Sequence, residues 1–292
     1  MKKIFILFVL FLFSNNLFSQ APSATENSLL WKISGNGLRE ASYLYGTIHV
    51  IPKKDFFITD STEWALNQAE NVAFEFNLKK EMRILPQIRL MFKMRMKGDT
   101  TLDMLLSEDD YEFVKRKFEA KRIPMRLVNR VKPSFLSDLA GSSTSELRSG
   151  ETTSYEMEFL QRAKSADKII SGLETASYQL SVFDSIPYHI QAQTMVEELR
   201  DGGSNSGKEY KKLLKIYKRQ DLQGLGKAMG ADEMSSFNDV LLFHRNRNWI
   251  PVIEKMSKKY KMFYAVGAGH LVGEKGVVAL LRKKGYKLTP VR

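Results

Sequence analysis

Met262-Phe263-Tyr264-Ala265-Val266-Gly267-Ala268-Gly269-His270-Leu271-Val272-Gly273 is an apolar run that ends in two glycines, a histidine and a third glycine. The pattern predicts a strand that ends in a tight turn, followed by a helix over 274–284 and a strand over 286–291. Turn glycines such as Gly267 and Gly269 allow a sharp turn or the close approach of a ligand. His270 is therefore expected at the C-terminal lip of a strand, where open α/β sheets place their sites.

A second strand with the same ending is predicted over 43–50, near the other end of the chain. It contains Gly46-x-x-His49, which has the spacing of Gly267-x-x-His270. Two of the four histidines therefore share one context, more than two hundred residues apart. His189 and His244 have no such context and are interpreted as structural.

Further strands are predicted where short apolar runs are bounded by polar residues, over 29–34, 71–76 and 168–174. Two long sections, 79–165 and 184–256, are expected to be mainly helical. We therefore predict an α/β fold with a central mixed β-sheet flanked by helices. A large helical insertion would separate the N-terminal and C-terminal strand units.

The first residues have the pattern of a secretory signal peptide, expected to end near residue 20. A short positive region precedes the apolar run 4–12, which is too short for a stable membrane span. No later stretch is long and apolar enough to cross a bilayer, and the chain has no cysteine. The sequence thus predicts a periplasmic or secreted bacterial protein whose mature chain, 21–292, is a single domain.

The formal net charge is +12, and the basic residues are spread along the chain. Charge of this kind is typical of a solvated surface. In an exported protein, an anionic envelope surface is a more reasonable partner than nucleic acid, which we do not expect as a ligand.

Four predicted strands end in residues that can bind a metal or move protons: His49, Glu75, Glu174 and His270. Two imidazoles and a carboxylate would leave coordination positions open for water, as in a catalytic metal site. A second carboxylate could act as general base. Arg245 could stabilise a developing oxyanion.

Each of these residues also has a structural interpretation. A histidine at a strand end is often only a hydrogen-bonding residue. Glu75 would face solvent on a half-exposed strand, whereas in a sheet covered on both faces it would be a buried carboxylate that needs a partner. Glu174 could simply cap the helix that follows it.

Other motifs in the sequence give weaker indications of function. The glycine pattern 267–273 imitates a dinucleotide fingerprint, but its spacing is one residue too long and no acidic residue follows the next strand. There is no His-Glu-x-x-His, Gly-x-Ser-x-Gly or P-loop sequence. The methionines of the section 79–104 could form an adaptable peptide-binding groove or be ordinary core.

The strand-end motifs, together with Gly172-Leu173-Glu174-Thr175, Gln179 and Arg245-Asn246-x-x-Trp249, resemble the TraB/GumN family, which is related to the Tiki proteases. Glu156 stands where many members carry an aspartate. The resemblance implies a site built from both Gly-x-x-His motifs, the strand glutamate and the arginine. It also implies metal-dependent proteolysis in some members and peptide binding or haem binding in related proteins.

The hypothesis is therefore an exported metal-dependent hydrolase that acts as a peptidase on a peptide or protein substrate in the cell envelope. A divalent ion of the zinc, manganese or cobalt class would be bound by His49, His270 and Glu75. Glu75, Glu174 and Glu156 are the candidates for proton transfer, with Arg245 at the oxyanion. A non-catalytic peptide-binding protein, or a protein that binds haem or iron, is the alternative.

Overall fold

A central six-stranded sheet organises the part of the chain that the computed structural model describes, residues 27–140, 151–201, 204–229 and 237–292. The predicted signal peptide lies outside these residues. The strands are β1 (Leu30–Ser34), β2 (Ser42–Thr47), β3 (Ile51–Pro52), β4 (Asn71–Phe76), β5 (Thr152–Thr153), β6 (Ile169–Glu174), β7 (Met262–Gly267) and β8 (Lys287–Val291). The sheet has the order β6-β4-β7-β2-β1-β8, and β3 pairs with β5 separately.

Helices fill the connections between the strands. They are α1 (Asp60–Gln68), α2 (Leu78–Glu81), α3 (Ile84–Lys93), α4 (Leu102–Leu105), α5 (Glu108–Ala120), α6 (Met125–Val128), α7 (Leu136–Ala140), α8 (Tyr155–Ser165), α9 (Ala176–Val182), α10 (Tyr188–Asp201), α11 (Ser204–Lys218), α12 (Leu222–Met229), α13 (His244–Lys259) and α14 (Val277–Lys283). A π-helix, Asp239–Phe243, leads into α13, and a 3₁₀ turn, Ala268–Leu271, follows β7.

Four neighbouring strands are parallel, and three of them, β4, β7 and β2, are buried on both faces. β2, β7, β4 and β6 pair in parallel, whereas β1 is antiparallel to both β2 and β8. Every residue of β2 is buried, and so are the first five of β4 and of β7. Continuous apolar strands of this kind are typical of a parallel sheet that helices cover on both sides. The predicted mixed α/β fold is confirmed.

Adjacent residues of β7 contact different helical layers, because successive side chains point to opposite faces of a sheet. The ring of Phe263 packs edge-on against Phe159 of α8, with centroids 5.2 Å apart. The neighbouring Tyr264 hydroxyl instead lies 2.9 Å from the Ser257 hydroxyl of α13 and donates to the Ile253 carbonyl. α8 therefore covers one face of the sheet and α13 the other.

The predicted helical insertion has its own cluster of buried side chains. Met96, Leu102, Val114, Phe118, Val128, Leu136, Met195, Val196 and Leu199 form it. These residues come from the section between β4 and β5 and from α10. The larger cluster surrounds the sheet.

Two predicted boundaries are wrong. The strand predicted to reach Val50 ends at Thr47, because its partner β7 turns into the 3₁₀ segment after Gly267 and no neighbouring strand remains to pair with. The helix predicted over 274–284 begins only at Val277, because Gly276 has an extended backbone and closes a turn with Gly273.

Candidate functional site

The C-terminal ends of the parallel strands meet at one edge of the sheet. Thr47 of β2 lies opposite Gly267 of β7, and Phe76 of β4 lies opposite Glu174 of β6. His49 follows β2 by two residues, and His270 lies in the 3₁₀ turn that follows β7, together with Gly269. The sequence prediction that these strand ends converge is thus matched by the register of the sheet.

The two Gly-x-x-His motifs contact each other directly. A Cβ atom on Gly46 would lie 3.1 Å from both Cα and Cβ of Ala268, which belongs to the second motif. That distance is shorter than an ordinary van der Waals contact, so only glycine lets the turn after β7 pack this closely on β2.

Arg245, on the first turn of α13, connects the acidic residues of the site. Its Nη2 donates to Glu75 Oε2 and to Glu174 Oε1, each at 2.6 Å, and its Nε donates to Glu174 Oε1 at 2.9 Å. Nη1 donates to the carbonyl of Leu241 in the preceding π-helix at 2.9 Å. All three charged side chains are nearly buried. A buried charge requires such pairing, and the π-helix before this arginine supplies one of its acceptors.

Glu75 is a buried carboxylate with a full set of donors. Besides Arg245, Gln179 Nε2 donates to Oε2 at 2.6 Å, and the Gly267 N–H donates to Oε1 at 2.9 Å. Burial raises the pKa of Glu75, but the Arg245 guanidinium, the His49 imidazole and the Gly267 N–H outweigh it and hold that pKa below its ordinary value. Glu75 is therefore ionised. Arg245 is the partner that a buried carboxylate at this position needs.

His270 is buried and held in one tautomer. Asn246 Nδ2 donates to the carbonyls of His270 and Lys275, so the amide oxygen of Asn246 faces His270 Nδ1, 2.6 Å away. Nδ1 must then carry the proton, and the lone pair lies on Nε2. Nε2 faces Arg245 Nη1 at 3.2 Å and Glu75 Oε1 at 3.6 Å. Burial, opposed by Glu75, lowers the pKa of His270 to about 3, so the imidazole is neutral.

Glu174 does not cap the following helix. The side chain of Thr175 caps α9 instead, accepting from the Tyr178 N–H. Both oxygens of Glu174 are used: Oε1 accepts from Arg245, and Oε2 accepts from Trp249 Nε1 at 2.9 Å. Burial raises the pKa of Glu174 even though Arg245 opposes it. The Trp249 indole also packs on the His270 ring, with centroids 4.3 Å apart.

His49 differs from His270 in its exposure, its protonation and its hydrogen-bond partner. Its side chain is 71% exposed, and Nδ1 lies 2.9 Å from Glu156 Oε1. The hydroxyls of Thr47 and Ser154 donate to the two oxygens of Glu156, at 2.6 Å and 2.7 Å. The hydrogen bond to Glu156 raises the pKa of His49 to about 9. Burial raises the pKa of Glu156, but the bonds from His49, Thr47 and Ser154 outweigh it and lower that pKa.

These groups border a cleft of about 270 Å³. Its lining includes His49, Glu75, Glu156, Gln179 and the apolar side chains of Phe74, Phe76, Leu78 and Met157. A Cβ atom on Gly267 would lie 3.3 Å from Glu75 Oε1, 3.7 Å from His270 Cδ2 and 3.8 Å from His49 Nε2. The absence of a side chain at Gly267 therefore leaves one small space that all three predicted ligands border, His270 with its ring carbon Cδ2.

The donor chemistry around this space fits a divalent cation. It consists of an ionised carboxylate, a neutral imidazole whose free nitrogen is set by Asn246, and the exposed imidazole of His49, which must lose a proton before it can bind a metal. In the part of the chain that the structure describes, however, no three His, Asp or Glu side chains are grouped closely enough to hold a metal as they stand. Arg245 donates hydrogen bonds to both Glu75 and His270. It therefore competes with a metal ion for the lone pairs of these two side chains.

Several supporting residues had no role assigned from sequence. Asn246, Trp249 and Gln179 belong to the motifs quoted above, and their signal is the spacing of Asn246 and Trp249 from Arg245 on one helix. Thr47 and Ser154 were missed, because a hydroxyl two residues before a functional residue is too common to be noticed. His244 is near Tyr178 and Asn248 rather than the cleft, in keeping with its structural interpretation.

The fold and site define a class of α/β protein in which two Gly-x-x-His strand ends close on a buried glutamate–arginine pair. This chain belongs to the TraB/PrgY/gumN family, whose model matches residues 29–290. The resemblance seen in the sequence is thereby confirmed.

The curated relatives include animal metalloproteases. A "Metalloprotease TIKI homolog" of Amphimedon queenslandica is 24% identical over 98% of this chain and 66% of its own length. "Metalloprotease TIKI2" of Danio rerio is 22% identical over 90% of this chain and 60% of its own, and that of Xenopus tropicalis is 23% identical over 91% and 61%. The chain thus spans less than two thirds of these relatives. No solved structure matches significantly.

Proposed function

We propose that this protein is an exported, metal-dependent hydrolase that cleaves peptides in the cell envelope. The observation that supports this most directly is the space beside Gly267, which one buried carboxylate and two imidazoles border. The names of the TIKI relatives agree with the coarser idea of a metal-dependent hydrolase. The periplasmic or secreted location rests on the predicted signal peptide.

His49, Glu75 and His270 would hold a divalent ion of the zinc, manganese or cobalt class, since each accepts nitrogen and carboxylate ligands. Such an ion would supply a Lewis acid that polarises the scissile carbonyl. Asn246 fixes the donor nitrogen of His270, and Glu156 orients His49 at the mouth of the cleft.

The remaining charged residues would stabilise charge, position Arg245 and transfer protons. Arg245 is a fixed cation that could stabilise charge on the substrate oxygen only at long range, because all of its N–H groups already donate to Glu75, Glu174, His270 and the Leu241 carbonyl. Glu174 is bound by Arg245 and Trp249 through both oxygens, so its task is to position the arginine rather than to move protons. Glu156 is ionised and lines the cleft, and this carboxylate is the candidate for proton transfer at the exposed side of the cleft.

Cobalt titration of the chelator-stripped protein tests the proposal, because visible absorption reports coordination directly. We expect near-stoichiometric binding in the wild type and its loss in His49→Ala and in His270→Ala. His189→Ala is the matched control, since this histidine is exposed on α10 and outside the site. A peptide library should be cleaved only by cobalt-binding forms. Cleavage that persists in folded His270→Ala, or cobalt binding that both site variants retain, would overturn the proposal.

The alternatives remain predictions that the same samples can test. A peptide-binding protein would bind peptides saturably in the presence of chelator and release no product. A methionine-lined groove has limited support from the structure. Of the six methionines between 82 and 125, one, Met96, lines the large cavity beside α3. A haem-binding protein would show a Soret shift on titration with haem.

A further inference from the structure

Helix α3 presents its apolar face to solvent. None of its residues is buried, and five bulky apolar side chains on it are between 46% and 79% exposed: Ile84, Leu85, Ile88, Met91 and Phe92. At 3.6 residues per turn they fall within an arc of about 120°. Pro86 and Leu90, which are only partly exposed, lie on the opposite side, where α3 packs on α9. The apolar stripe therefore points away from the protein.

Basic residues flank this stripe, and the segment has no acidic residue. Arg83, Arg89, Lys93, Arg95 and Lys97 all lie between 82 and 98, where there is no Asp or Glu. Arg89 and Lys93 lie along one border of the apolar arc on the helical wheel. An exposed helix with bulky apolar residues on one face and Lys or Arg beside them is typical of a helix that lies in a membrane interface.

The charge of the segment decides between possible occupants. A second copy of this chain would bring two such basic segments together, and like charges facing each other oppose association. A peptide could occupy the cavity beside α3, which Leu85, Ile88 and Phe92 line, but it would leave Ile84 and Met91 uncovered. A bilayer with anionic headgroups offers both an apolar layer and negative charge over a wide, flat surface.

We propose that α3 docks this protein on the surface of an anionic membrane. The apolar face Ile84–Phe92 enters the headgroup region, and the flanking Arg and Lys side chains contact the lipid phosphates. The helix lies on the membrane and does not cross it; no helix in the described part of the chain is long and apolar enough to span a bilayer. α9, on which α3 packs, carries Gln179 of the candidate site, so docking would hold the cleft close to membrane-associated substrates.

Co-sedimentation with vesicles tests the apolar contact. The exported protein, its N-terminus established by mass spectrometry, is mixed with phosphatidylglycerol or with phosphatidylcholine vesicles. Wild type should bind the first and not the second. Leu85→Ser with Phe92→Ser should weaken binding at least about tenfold, because two large side chains no longer enter the interface. Met104→Ser with Leu127→Ser is the matched control, since both residues are equally exposed on other helices, and it should bind as wild type does.

A second pair of variants tests the charge contact. Arg89→Gln with Lys93→Gln should weaken binding to phosphatidylglycerol by about fivefold per residue, and added salt should reduce wild-type binding. Lys258→Gln with Lys287→Gln removes the same charge from α13 and β8 and should change binding little. All of these residues are exposed, so the variants should keep the unfolding midpoint of the wild type.

Three outcomes would overturn the proposal. The first is a wild type that ignores phosphatidylglycerol vesicles. The second is equal binding by the α3 variants and their controls, which would place the contact elsewhere. The third is an α3-dependent dimer, or saturable binding of an acidic apolar peptide, without any binding to vesicles; either would identify a different occupant of this face.

Discussion

The two Gly-x-x-His motifs have the same spacing but opposite environments. His270 is buried, neutral and fixed by Asn246, with Trp249 packed on its ring. His49 is mostly exposed and paired with an ionised carboxylate, which raises its pKa to about 9. The same short pattern therefore produces a rigid half and an accessible half. The difference comes from the neighbouring helices: α13 covers the second motif, whereas the first lies at the mouth of the cleft beside α8.

This contrast indicates a division of labour. A buried half with fixed hydrogen bonds keeps its geometry whether or not a ligand is present, as a preorganised site requires. The exposed half can exchange protons and partners with solvent and substrate. The variants below should separate the halves, since changes on the buried side should affect stability and changes on the exposed side should mainly affect titration.

The largest effect is expected from Arg245→Met. This change leaves Glu75 and Glu174 buried side by side without their cation, which should cost about 3–5 kcal/mol in the free energy of unfolding. Urea denaturation followed by circular dichroism measures it. Arg162→Met is the matched control, because Arg162 forms an exposed ion pair with Glu63 and should cost below about 1 kcal/mol. Similar losses in the two variants would show that the glutamate–arginine cluster is not the rigid centre of the site.

A smaller effect is expected from Asn246→Leu. It removes the acceptor for His270 Nδ1–H and the donor to two carbonyls, at a cost of about 1–3 kcal/mol. Nitrogen-15 spectra of the imidazole should show the Nδ1–H tautomer in the wild type. Asn246→Asp keeps an acceptor and should keep that tautomer, whereas the leucine variant should not hold it. An Nε2–H tautomer in the wild type would contradict this assignment.

The sequence predicted the presence and order of these strands well because apolar runs and glycines are local signals. The strands that precede His270 and His49, and those that contain Glu75 and Glu174, are where the pattern put them. A parallel arrangement then makes their C-terminal ends meet without further information. The strand-end members of the predicted site, His49, Glu75, Glu174 and His270, therefore follow from topology that short-range patterns can indicate, whereas Glu156 came from the family resemblance.

What the sequence could not show is which of two equal motifs is buried. That depends on the packing of α8 and α13. α8 lies far from the first motif in the chain, and α13 follows a long helical insertion. It also could not show that Arg245 takes part of the space between Glu75 and His270, because a hydrogen-bond network is decided by side-chain distances. The boundary errors at Val50 and at residue 274 have the same origin. The loss of a pairing partner ended the strand early, and a glycine turn delayed the start of the helix.

The smallest and most specific effect concerns His49 and Glu156. A raised pKa means that the protonated imidazole stabilises the folded state fully below its ordinary value of 6.5, and that this stabilisation is lost as the pH rises through about 9. Glu156→Gln should return the His49 pKa towards 6.5 in a proton NMR titration. It should also lower unfolding stability more at pH 6 than at pH 9. Glu158→Gln, two residues further along α8 and bonded to Thr153 instead, should leave the His49 titration unchanged. A wild-type His49 that titrates near 6.5, or one that is insensitive to Glu156→Gln, would mean that the exposed motif lacks its carboxylate partner, and the contrast between the two halves would then rest on burial alone.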